Sequence, residues 1–113
     1  MPLAGTAFLA LWNDIARERE PEYDRWHTRE HVPERVGVAG FRGARRYVNR
    51  TPAQHRYFTL YELAELAVLD SAAYQALVER PTPWSQSMRP DFARFLRAPC
   101  ALDVSQGDRK SVV

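Results

Sequence analysis

The chain has 113 residues, of which 45% are hydrophobic and 27% charged. That size and balance fit one folded domain with a real core and exclude wholesale disorder. The single cysteine, Cys100, excludes an internal disulfide and a cysteine metal cluster, which fits a reducing cytoplasm. The apolar start from Ala7 to Trp12 is too short to span a bilayer and lacks a basic leader or a small-residue cleavage site. Neither a membrane segment nor a signal peptide is expected.

The formal charge is only +2, and 15 of the 16 basic residues are arginine. The densest basic run, Arg42, Arg45, Arg46, Arg50 and Arg56, is interleaved with Phe41, Tyr47 and Tyr57. Such interleaving can suit a nucleic-acid strand. Glu18, Glu20, Glu22, Glu30 and Glu34 form an equally dense acidic run just before it, so a salt-bridged surface is the better reading. No nucleic-acid partner is expected.

In chain order, Thr6 to Trp12 reads as a strand. A helix follows from about Pro21, with Glu18, Glu20 and Glu22 near its start where the helix dipole favours anions. Pro33 should end it, because a proline ring disfavours helical geometry in the residue before it. Gly37 and Gly40 mark a turn into a second strand, Phe41 to Asn49, and residues 51–54 form a hairpin-like loop. Arg56 to Leu63 is the clearest strand, with Tyr57, Thr59 and Tyr61 on one face and Phe58 and Leu60 on the other. A second helix, capped by Asp70, runs from Ser71 to about Glu79 and turns Ala73, Tyr74, Leu77 and Val78 inward. Pro81 stops it. A short helical turn opens at Pro83, carries Trp84 and Met88, and ends at Pro90. Phe92 to Val104 is the last strand, bent at Pro99, and residues 106–113 form a polar tail after a domain spanning 1–105.

The order β-α-β-β-α-β is the split βαβ, ferredoxin-like arrangement of the α+β class. It implies a four-stranded antiparallel sheet with two helices on one face. The third strand is apolar or aromatic on both faces, so the uncovered face requires a partner, and a second copy of the chain is the economical one.

The first helix carries the chemistry. Tyr23, Trp26, His27, Glu30 and His31 fall at i, i+3, i+4, i+7 and i+8, one stripe of a helix. An inward stripe is normally Leu, Val or Ile. Two imidazoles and a carboxylate there are costly unless each finds a partner or a task. The structural alternative is that Tyr23 and Trp26 pack while the three polar side chains bond to backbone and arginine neighbours. His27 to His31 also spells H-x-x-E-H, a zinc-peptidase motif. The remaining histidine, His55, falls in a turn, and Pro33 follows His31 by two residues, so no metal site is expected. Neither a dinucleotide-binding glycine motif nor a phosphate-binding loop is present, and no cofactor is expected.

The run Trp26-His27-Thr28-Arg29-Glu30-His31-Val32-Pro33-Glu34-Arg35, with Ala39-Gly40-Phe41-Arg42 and Arg45-Arg46-Tyr47 after it, resembles the EthD-like branch of the dimeric α/β-barrel superfamily. Leu60-Tyr61-Glu62-Leu63, Ser71 to Tyr74 and Pro81-Thr82-Pro83-Trp84 resemble later landmarks of a subgroup largely without assigned function. The likeness runs from Asn13 to Cys100 and departs at Ala39, where proline is usual. It implies a ferredoxin-like protomer whose homodimer closes a central barrel, with a ligand cavity between helices and sheet. Members of the superfamily include cofactor-free cyclases, isomerases, lyases and monooxygenases, which move an acidic proton with a His, Asp or Tyr, as well as haem proteins. His31 matches the motif histidine, and His27 is the subgroup's additional one.

These readings combine into a cofactor-independent acid/base enzyme of cyclase, isomerase or lyase type, acting on a small apolar, aromatic or polyketide-like molecule. His31 is the expected base, because an imidazole with a pKa near 6.5 is poised for proton transfer. Glu30 or Tyr61 would orient His27, and Tyr57 or Tyr61 would stabilise an enolate. Trp12, Trp26 and Trp84, with Tyr23, would wall the site, and Asn13 would donate to a substrate carbonyl. A non-catalytic small-molecule-binding dimer is the alternative.

Overall fold

The computed structural model describes residues 6–49 and 56–101. The expected loop at 51–54, His55 and the tail at 106–113 lie outside them. Four strands, β1 (Ala7–Ile15), β2 (Phe41–Val48), β3 (Tyr57–Leu63) and β4 (Phe92–Ala101), form one antiparallel sheet in the order β2-β3-β1-β4. This is the ferredoxin-like order. The two most apolar strands, β1 and β3, take the centre, where both edges are paired. Leu9 lies opposite Tyr61 and Pro99, which puts the odd-numbered residues of β1 and β3 on the helix face. Pro99 sits on the edge strand β4, where a missing N–H need cost no ladder bond.

The first helix, α1, has three segments: Glu20–Trp26, a wide turn of π geometry at His27–His31, and Val32–Val36. The expectation that Pro33 ends it is therefore corrected. A regular α-helix would ask Pro33 for an N–H to the carbonyl of Arg29 and would drive its ring into that group. The wide turn, in which Val32 N–H reaches back to His27 O, absorbs the misfit and lets the helix continue one more turn. Gly40 then closes the connection at φ +97°, and a side chain there would run into Val68.

Other boundaries shift for identifiable reasons. β1 continues past Trp12 to Ile15, because β3 and β4 still offer pairing partners, with a register shift against β4 between Trp12 and Asp14. The irregularity of β4 falls opposite that shift, where Arg94 has a φ of +48°, rather than at Pro99. Helix α2 (Ala72–Glu79) is capped by Ser71, whose Oγ accepts from Tyr74 N–H at 3.3 Å; Asp70 instead ends a short 3-10 turn. Of its expected inward residues Tyr74 is buried and Leu77 half-buried, while Ala73 and Val78 are exposed. Helix α3 (Pro83–Met88) is capped by Thr82, and Pro90 continues it as a 3-10 turn instead of ending it.

The core has two parts. One centres on Leu9, Tyr61, Leu63 and Tyr74, and the other on Tyr23, Trp26, Tyr57 and Met88 beneath α1 and α3. Three arginines of the dense basic run are engaged: Arg45 pairs with Glu62 at 3.5 Å, Arg46 with Asp24, and Arg56 with Glu20 at 3.1 Å. Among the described residues no helix is long and apolar enough to cross a membrane.

Candidate functional site

A cleft of about 380 Å³ opens between α1, the α2–α3 corner and the start of β4. Trp26, His31 and Arg35 line it from α1. Leu77, Val78, Pro81 and Ser85 line it from the corner, Arg89 from the 3-10 turn, and Leu11, Phe92 and Phe95 from the sheet. The spacing explains the first set: Trp26, His31 and Arg35 project to one side across the wide turn, which adds a residue between the two ends of the stripe. Behind the cleft lies a void of about 20 Å³, bordered by Asn13, Tyr23, His27 and Thr59 as well as Trp26 and His31. The cleft is thus apolar at its walls, with polar groups at its mouth and its inner end.

His31 is half-buried, and its ring lies 4.4 Å from the Trp26 ring and 5.4 Å from that of His27, nearly parallel to the latter. Its Nδ1 is buried without a hydrogen-bond partner, which leaves Nε2 as the nitrogen that a ligand can reach. Burial holds the His31 pKa well below 6.5, and the positive charges of Arg35 and Arg89 act in the same direction. The imidazole is therefore neutral at physiological pH.

His27 is 4% exposed, and its Nε2 lies 3.4 Å from the Thr59 hydroxyl, while its Nδ1 has no partner. Burial, with Arg46 and Arg35 adding, pushes its pKa down to about 3. Tyr23 donates to Asn13 Oδ1 at 3.2 Å, and this buried pair closes the inner end. Trp26 donates from Nε1 to Ser85 Oγ at 3.0 Å.

Glu30 is turned away from His27. Its Oε2 accepts from Thr82 Oγ1 at 2.6 Å and from Ser85 Oγ at 3.3 Å, which pins α1 to the start of α3. Tyr61 is completely buried beside Phe41, with its hydroxyl unpartnered and its pKa raised by burial, and it does not line the cleft. Tyr57 donates to Glu20 at 2.6 Å in a separate charged depression, and burial first, then that bond, raise its pKa. Trp84 donates to Glu22 at 3.1 Å and packs against the second core cluster. Trp12 lies on the other face of the sheet, 4.9 Å from Phe58, because its even position in β1 turns it from the helices.

The expected set therefore separates. Trp26, His27, His31, Asn13 and Tyr23 come together around the cleft and its inner void. Trp12, Tyr57, Tyr61 and Trp84 do not reach it, and Glu30 touches it only through Ser85. Arg35, Arg89, Phe92 and Phe95 were not among the expected residues. Arg35 was within reach of the sequence pattern, since it follows His31 by four positions. Arg89 and the two phenylalanines depend on how β4 enters the sheet, which no local pattern encodes. Among the described residues no three His, Cys, Asp or Glu side chains gather as a metal-binding group.

No protein-family model and no curated protein sequence matches the chain. Solved structures do. A hypothetical protein of Arabidopsis thaliana superposes with a TM-score of 0.60 at 6% identity, covering 89% of this chain and 91% of its own. An ethyl tert-butyl ether degradation (EthD) family protein from Bacillus halodurans gives 0.56 at 9% identity, covering 81% and 94%. MhuD of Mycobacterium tuberculosis, a heme-degrader with two hemes bound in its active site, gives 0.52 at 17% identity, covering 86% and 95%. The chain thus has the ferredoxin-like fold of the dimeric α/β-barrel proteins, and the likeness to the EthD branch drawn from the α1 motif holds at the level of fold.

Proposed function

We propose that the protein is a cofactor-independent acid/base enzyme acting on a small apolar or aromatic molecule bound in the cleft, with His31 as the base. The observation that carries this reading is a neutral imidazole whose reachable nitrogen meets an apolar cleft large enough for a small flat molecule. His31 Nε2 takes a proton from carbon beside a carbonyl, or from a phenol. The electron pair moves onto the carbonyl oxygen as an enolate, and the imidazolium returns the proton elsewhere on the substrate or to a leaving hydroxyl. Trp26, Phe92 and Phe95 hold the substrate plane, and Asn13, which borders the void behind the cleft, is the proposed donor to a carbonyl.

A buried cation is costly in such a site, so the imidazolium formed must be transient or offset by negative charge on the substrate. The same physics keeps the base free of protons across the physiological range. The test separates binding from chemistry. His31→Gln should keep binding of an aromatic ketone, followed by calorimetric titration, and lose its turnover. Retention of full turnover in that variant would overturn the assignment. Binding with no turnover in either protein would leave the cleft as that of a small-molecule-binding dimer.

The second half of the proposal is the homodimer. Trp12 of β1, Phe58 and Leu60 of β3 and Leu96 of β4, which is 52% exposed, share the sheet face remote from the helices, where Phe8 and Ala10 are already buried within the single chain. A second copy packed sheet to sheet is the occupant that the half-buried and exposed apolar side chains of this face favour.

A further inference from the structure

Arg35 is a largely covered charge that the fold itself does not pair. Its side chain is only 13% exposed, yet its one ionic neighbour, Glu34, stands 3.6 Å from Nη1, beyond hydrogen-bond range. No side-chain hydrogen bond satisfies its guanidinium among the described residues. Partial burial and Glu30 hold the Glu34 carboxyl pKa above its ordinary value, with Arg35 opposing. A guanidinium at the end of a largely covered side chain, facing an apolar cleft and without a bonded partner in the protein, is open to an acceptor supplied from outside. Arg89, an exposed residue that lines the same cleft, likewise has no ion pair or side-chain hydrogen bond among the described residues. Elsewhere Arg19, Arg45, Arg46, Arg56 and Arg94 are all paired with carboxylates. Among the described residues Arg17, Arg25, Arg29, Arg42 and Arg80 are unpaired too, but they are exposed to solvent, as is Arg89; Arg35 is set apart by being unpaired while its side chain is largely covered.

We infer that the cleft takes an organic acid: a flat apolar or aromatic body against Trp26, Phe92 and Phe95, with its carboxylate held between Arg35 and Arg89. A carboxylate matches the planar fork of a guanidinium in two parallel bonds, which an ammonium ion or a neutral amide cannot reproduce. This inference rests on the cleft being the ligand site, and it adds the ligand's charge. It also resolves the cost of a cationic His31. The groups facing that ring are Arg35 and His27 from α1 and Arg89 from the 3-10 turn, all of which oppose its protonation, while Glu30 is bonded to Thr82 and Ser85 and Arg97 of β4 to Tyr74. A bound carboxylate would neutralise the two guanidinium groups and make the imidazole a stronger base only when substrate is present.

The probes are naphthalene carboxylate and its neutral amide, titrated calorimetrically at neutral pH and low salt, with the His31 ring resonances followed by NMR to locate binding. The acid should bind at least about tenfold more tightly than the amide, the scale of one charge-assisted hydrogen bond. Arg35→Gln should remove that preference, and Arg35→Lys should restore only part of it. The acid, not the amide, should raise the His31 pKa. Equal binding of acid and amide in the cleft would overturn the acid anchor while leaving the cleft reading intact. An acid preference that survives both Arg35→Gln and Arg89→Gln would overturn the assignment of the anchor to these residues. Failure of both probes to perturb His31 at millimolar concentration would overturn the cleft reading together with this one.

Discussion

His27 and His31 stand four residues apart on one helix, yet burial sets them different tasks. His27 is buried against Thr59, between the inner void and a separate depression lined by Val32, Ala44 and Arg46. With a folded pKa of about 3 against 6.5 unfolded, the unfolded chain binds the extra proton between those values. Stability should therefore fall as pH drops below 6.5 and go on falling toward pH 3, at about 1.4 kcal/mol per pH unit from His27 alone. His27→Gln should flatten that acid slope in urea melts; an unchanged slope would show that His27 is not buried in its neutral form. For His31 the depressed pKa sets the kinetic limb. A base is active when unprotonated, so kcat/KM should be flat through neutral pH and decline only well below the ordinary imidazole range. Glu30 has a different weight. Glu30→Ala leaves the Thr82 and Ser85 hydroxyls without their acceptor and should cost about 1–3 kcal/mol in urea melts, since it unpins α1 from α3. A loss of activity with no loss of stability would instead assign Glu30 to the chemistry.

At the scale of elements, the informative stripe was legible in the sequence and its mechanism was not. The offsets of Tyr23, Trp26, His27 and His31 identified the inward face of α1 correctly. Pro33 was read as a stop because a proline inside an α-helix loses a bond and clashes. The wide turn at His27–His31 shows the other solution, in which the helix loosens one turn earlier. The sheet order could be read from the alternation of apolar segments, while the partners of Glu30, Tyr57 and Trp84 could not, because they depend on side chains 37 to 62 positions away. Trp12 was misplaced for a simpler reason: both faces of β1 are apolar, so parity alone could not say which face met the helices. The wide turn itself is testable. In Pro33→Ala the regained N–H permits a regular helix, which would rotate His31 relative to Trp26. Turnover should fall at least about tenfold while stability changes by no more than about 1 kcal/mol. Unchanged turnover would mean that the turn has no part in positioning His31.

At the scale of the molecule, two surfaces remain to be accounted for, the cleft and the open sheet face. Phe58 sits midway on that face between Trp12 and Tyr47, at ring separations of 4.9 and 5.8 Å. The wild type should sediment as a dimer at micromolar concentration, and Phe58→Glu should yield a folded monomer, because a charge at the centre of an apolar interface is not compensated. A wild-type monomer would remove the sheet-to-sheet homodimer. The central claim, that His31 moves a proton in the cleft, is tested most directly by exchange of the acidic α-protons of a naphthyl ketone into heavy water, followed by proton NMR. The wild type should accelerate the exchange well beyond the same concentration of free imidazole, with no acid limb near pH 6.5, and His31→Gln should return it to the background rate. Exchange no faster than with free imidazole, or equally fast in His31→Gln, would contradict the account.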